Sequence, residues 1–184
     1  QAMHESIAVC VSGGQTRLAS ASQAWDRTAA FIVGNMEGTD ERGSQEGRLL
    51  WGLAKEQCSI FGTCSSIVQG SAEINDRIVS LLYTGRGAIL SANCQALRKA
   101  AKGMTTRLQV PLIQASHSST TELGERTGEI KNLLRAEAYV FSHTLLPLIE
   151  DADRESAVTI GTNLDYNGPP LPDGASAVIS AFTS

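Results

Sequence analysis

The chain has 184 residues, of which 42% are hydrophobic, 18% charged and 5% aromatic, with a net charge of −4. A chain of this length buries about 70% of the surface its unfolded form exposes, so a core built mostly from Leu, Ile, Val and Ala is within reach. The negative balance and the absence of a basic run argue against a nucleic-acid or anionic-membrane partner, and no apolar run reaches the ~20 residues that a membrane-spanning helix needs.

Five segments carry a helical period. The first runs from about Thr16 to Val33, with Leu18, Ala21, Trp25, Thr28 and Ile32 on one stripe and Gly34 as its stop. The second runs from about Ser44 to Phe61, with Leu50, Leu53, Gln57 and Ile60 facing inward and Gly62 as a C-terminal signal. The third begins near Ser71 and carries Ile74, Ile78, Leu81 and Leu82, and Gly85 and Gly87 are expected to end it. The fourth begins at Asn93, a good N-cap residue, and buries Leu97, Ala101, Met104 and Leu108 until Pro111 kinks or breaks it. The fifth opens with the capping-box pattern Ser119-x-x-Glu122 and extends through Leu123, Ile130, Leu134, Phe141, Leu145 and Leu148 to about Asp151, with a bend at Pro147.

The rest of the chain reads differently. Ala157 to Ile160 and Ala177 to Phe182 are short and β-favouring, and Asn167 to Gly174 is turn and polyproline chemistry. The expected fold is therefore all-α: an antiparallel bundle of four to five helices over residues 1–154, followed by an extended, partly β-like tail over residues 155–184. The tail cannot form a core of its own, so it docks on the bundle or on a neighbouring chain. Ala177, Val178, Ile179 and Phe182 are its candidate assembly residues, able to add a strand or an apolar arm to a neighbour, as in β-augmentation.

Four cysteines, Cys10, Cys58, Cys64 and Cys94, fit neither a zinc site nor a C-x-x-C redox motif. Two structural disulfides in an oxidising compartment are the expectation. In an up-down bundle, Cys58 and Cys64 lie at one end and Cys94 at the other, one helix of about 25 Å away, which favours Cys58–Cys64 and Cys10–Cys94. Gln1 in place of an initiator Met is the beginning expected of a secreted chain after processing.

No nucleophile sits beside an evident base, and there is no G-x-S-x-G elbow or phosphate loop, so an enzyme is not expected. Metal binding by carboxylate and imidazole groups is the better chemical hypothesis, chiefly because of a family resemblance. Val33 to Gly38 (VGNMEG), Leu49 to Cys64 (LLWGLAKEQCSIFGTC) and Val110 to Gln114 (VPLIQ) together resemble the secreted algal iron-assimilation and low-carbon-dioxide-inducible extracellular proteins, over roughly Trp25 to Leu148. That resemblance implies a non-enzymatic protein at a cell surface with iron as its bound ion, and points to Glu37, Glu137, His117 and His143 as ligands. Glu37 lies in the family-like turn, where the adjoining glycines allow close backbone approach. Glu137 and His143 are six residues apart and do not share a helical face, so they are not the i, i+3 pair of many bundle iron sites. The alternative is a structural subunit that self-associates through its tail into a filament or surface coat. The Ser/Thr run from Ser116 to Thr121 is a candidate for O-linked sugar, and no N-x-S/T acceptor occurs.

Overall fold

The computed structural model describes residues 1–13, 15–34, 49–125, 129–168 and 174–183. Among these residues the protein is all-helical, with eight helices and no strand. They divide into two compact units, Gln1–Leu108 and Gln109–Ser184.

The first unit begins with α1 (Ala2–Ser12) and α2 (Gln15–Val33), which pack as a hairpin. Gly13 turns between them at φ 76°, a conformation that favours a residue without a side chain. The buried Ser6 hydroxyl donates to the Ala21 carbonyl at 2.8 Å, pinning the two helices together. Helix α2 buries Ala21, Ala24, Trp25, Thr28 and Ile32, a 3.6-residue stripe, and stops at Gly34. Helix α3 (Leu50–Phe61) ends at Gly62, whose left-handed backbone lets its N–H reach the Cys58 carbonyl. Its buried face is Trp51, Ala54, Gln57 and Cys58. That face is rotated from the expected one, and Ile60 is exposed.

A short loop leads to α4 (Glu73–Leu90), tied by the isolated antiparallel bridge between Cys64 and Ala72. The Asn75 side-chain amide, fully buried, donates to the Trp51 carbonyl at 3.1 Å and joins α4 to α3. The expectation that Gly85 and Gly87 end this helix fails, because α4 runs through both to Leu90. The reason is tertiary. A Cβ placed on Gly85 would lie 2.0 Å from Trp25 Cζ2, so the glycine makes room for the indole rather than breaking the helix. The Trp25 ring N–H then donates to the Leu82 carbonyl at 2.9 Å.

Helix α5 (Cys94–Glu125) starts as expected, with Asn93 Oδ1 accepting from the Ala96 N–H at 3.0 Å. It contributes Leu97, Ala100, Ala101 and Met104 to a core shared with Trp25, Trp51, Ile78 and Ile89. The expected break at Pro111 does not occur, and the helix continues past it to Glu125. Proline there removes one N–H donor, yet its ring is buried.

The second unit comprises the end of α5, then α6 (Glu129–Ala152), α7 (Arg154–Asn163) and α8 (Gly174–Thr183). The expected capping box is absent, because Ser119 is a buried residue inside α5 and the next helix begins at Glu129. The β-like tail is also corrected. Ala157 to Ile160 lie in α7 and Ala177 to Phe182 in α8. Asp153 caps α7 with its carboxylate accepting from the Glu155 N–H at 3.0 Å, a start signal that outweighs the β preference of Val158, Thr159 and Ile160. Ala138, Ile160, Leu164 and Val178 form the core, with Leu123, Leu146, Ile149, Ala181 and Phe182 packed around it. The count of eight helices exceeds the expected four to five because α1, α7 and α8 are short pieces that carry little period of their own.

Candidate functional site

The cysteines pair as Cys10–Cys94 and Cys58–Cys64. The first joins the end of α1 to the first residue of α5, and the second clasps the C-terminal end of α3 to the loop beyond it. Both lie in the first unit, and among the described residues no cysteine is free.

Glu37 falls outside the described residues. Glu137, His117 and His143 are half-buried in the second unit, Glu137 and His143 on α6 and His117 on α5. Among the described residues no group of three or more His, Cys, Asp or Glu side chains converges as a metal site would require. His143 instead has Nδ1 at 3.0 Å from the Tyr139 carbonyl, which marks that nitrogen as the proton donor, and its ring lies against Tyr139 at a 34° tilt with centroids 3.9 Å apart. Tyr166 completes this small cluster edge-on to Tyr139 at 6.2 Å. His117 Nδ1 faces the Thr121 hydroxyl at 3.5 Å. Glu137, His117 and His143 thus belong to no such group.

The Ser/Thr run of α5 is mostly inside. Ser116, Ser118, Ser119 and Thr120 are buried, and the Thr120 hydroxyl donates to the Ser116 carbonyl at 2.7 Å. Those four hydroxyls are closed to a glycosyl donor. The assembly residues of the tail are likewise engaged. Val178 is fully buried against Ala138, Ile160 and Leu164, and Ala177, Ile179 and Phe182 are half-buried. As a helix, this segment presents no strand edge of the kind β-augmentation uses.

Three surface features remain. The first is an apolar stripe on α6 that includes Ile130 and Leu148, two of the residues that carry the helical period of that segment. Ile130, Leu133, Val140 and Leu148 are 57%, 61%, 58% and 44% exposed. With Glu137, Thr144 and Asp151 they follow a three-and-four spacing along one helix face, which is the geometry of a seam between helices. The second is a groove of about 300 Å³ between α2 and α4, lined by Trp25, Ala29, Ala30, Val33, Leu82 and Tyr83. Small residues on α2 leave this channel open, and an ion pair between Arg86 and Asp26, 2.9 Å apart, stands on its rim. The third is a cleft of about 450 Å³ in the second unit, where Ile113, Leu145, Leu148 and Phe182 face Asp153 and Ser156. The Asp153 carboxyl is held below the usual carboxylate range, first by the Ser156 hydroxyl at 2.6 Å and then by the Ser156 and Glu155 backbone N–H groups. Its oxygens are thereby committed to capping α7.

No helix among the described residues is long and apolar enough to cross a membrane. In comparisons with family models, curated proteins and solved structures, nothing matches this chain.

Proposed function

We propose that the protein is an extracellular, non-enzymatic structural subunit that self-associates through helix faces rather than through its tail. The observation that carries this reading is the exposed stripe of α6, where four large aliphatic side chains line up on one face. Aliphatic surface gathered in this way is more favourable covered than wet, at about 25 cal/mol for each Å² removed from water. The two disulfides support an oxidising compartment, and both hold helices of the first unit. The test is sedimentation of the disulfide-intact chain across a range of concentrations. Mass that rises with concentration, and that Leu133→Glu with Val140→Glu returns to a single chain, supports the reading. A single chain at every concentration sinks it.

A second reading, iron capture at a cell surface, is supported by the likeness of the Val33 to Gly38 and Leu49 to Cys64 sequences to the algal proteins. Its signature is saturable binding near one iron per chain by calorimetric titration, with zinc as control. The binding must weaken in Glu37→Ala. Unchanged heat in that variant removes Glu37 as the ligand.

A further inference from the structure

We propose that self-association is head-to-tail: the α6 stripe of one copy docks in the α2–α4 groove of a second copy. This rests on the self-association reading and adds the partner surface to it. The two features are complementary in kind. The stripe is a row of exposed side chains on one helix, Ile130, Leu133, Val140 and Leu148, and the groove is a mainly apolar channel lined by Ala29, Ala30 and Leu82 among others. An amphipathic helix laid into an apolar groove is a recurring mode of protein recognition.

Charge selects this pairing over stripe against stripe. The first unit has eleven Lys and Arg against nine Asp and Glu, a net +2, while the second has four against ten, a net −6, which together give the −4 of the chain. The stripe itself carries Glu137 and Asp151, and Glu129 sits at the start of the same helix. Pairing two copies of α6 would bring these carboxylates, and two units of −6, against each other. Docking α6 on the first unit instead sets a unit of −6 against one of +2, and the groove's rim carries Arg86 together with its ion-pair partner Asp26 rather than an excess of carboxylates. Stripe and groove are different surfaces on different units, so the contact is heterologous and propagates into rings or open chains unless it is capped.

The experiment uses two full-length variants, each blocking one surface. Leu133→Glu puts a charge in the stripe and leaves the groove intact. Ala30→Trp fills the groove and leaves the stripe intact. Both positions are exposed, and far-UV circular dichroism confirms folding; Val140→Glu serves as a second stripe variant. Each variant alone is expected to sediment as a single chain, with association weakened about thirtyfold or more. Mixed in equal amounts they are expected to form dimers and nothing larger, because only one productive stripe–groove contact remains. Raising the salt concentration is expected to weaken the wild-type assembly. Wild-type chain that associates while the mixed variants stay single, or Ala30→Trp that associates as wild type does, overturns the head-to-tail contact and leaves self-association standing. Wild-type chain that never associates overturns both.

Discussion

The two units solve the same packing problem with different materials. The first gathers both tryptophans, Trp25 and Trp51, with Ile78, Ile89, Leu97 and Met104, and locks its helices with both disulfides. The second has no cysteine and no tryptophan, and its central cluster is Ala138, Ile160, Leu164 and Val178. Buried hydroxyls fill much of the remaining space there, among them Ser116, Thr120, Ser142 and Ser156. These mostly bond within their own helices, as Thr120 does to Ser116 and Ser142 does to Tyr139, so they occupy volume without tying one helix to another. The lesson is that large side chains and crosslinks make one unit stiff, while the other relies on close approach of small residues and has less to lose before it opens.

The sharpest way to break this contrast is to remove the long crosslink. Cys10–Cys94 spans 84 residues, and in the chain-entropy account its loss costs about 4.5 kcal/mol, against about 2 kcal/mol for the six-residue span of Cys58–Cys64. Paired Cys10→Ser and Cys94→Ser changes are expected to speed hydrogen exchange in α1 and α2 while leaving α7 and α8 nearly as before. Equal acceleration in both units would show that the first is not independently held. Next in size is Gly85→Ala. Helix propensity alone favours the alanine by about 1 kcal/mol, but its methyl meets the Trp25 ring, and a net loss of about 3 kcal/mol is expected from overpacking. A thermal midpoint that rises instead would show that the indole yields.

In the second unit, Val178→Ala removes methyl groups from the centre of a small cluster, and about 2 kcal/mol of destabilisation is expected, read as faster exchange in α6 to α8. The smallest effect is the acid response of Asp153. Its folded carboxyl is held below the ordinary range, so the stabilisation it gives is complete above that range and fades as pH falls through it. The thermal midpoint is expected to lose a small increment below about pH 4 that Asp153→Ala does not show. Identical acid profiles in the two proteins would remove Asp153 as its source.

What the sequence made legible, and what it hid, divides along the same physical line. Local signals read correctly: Gly34 and Gly62 stop their helices, and Asn93 caps α5. Signals whose meaning depends on a distant partner were misread. Gly85 looked like a breaker because nothing nearby in sequence announces that Trp25 will lie across it. Pro111 looked like a kink or a break, and of the two the break does not occur, since the one missing hydrogen bond is tolerated within a 32-residue helix. The β-branched run of α7 and the apolar run of α8 are too short to show a period, and their helicity follows from the Asp153 cap and from packing on α6. Of the candidate site, the apolar positions of α6 were visible as a helix face. Their division into buried Leu134 and Leu145 and exposed Ile130 and Leu148 was not, since both kinds of residue read alike in sequence.

The contact between Trp25 and Gly85 has a consequence for how this chain can vary. The two positions share one volume, so neither can change freely while the other stays fixed. Among related sequences, a side chain at 85 should appear only where 25 has given up its large ring, and a lone glycine at 85 without an aromatic at 25 should be rare. The Trp25 and Gly85 pair would then stand out as the strongest covarying couple between α2 and α4, and would serve as a fingerprint of the first unit where overall identity has faded.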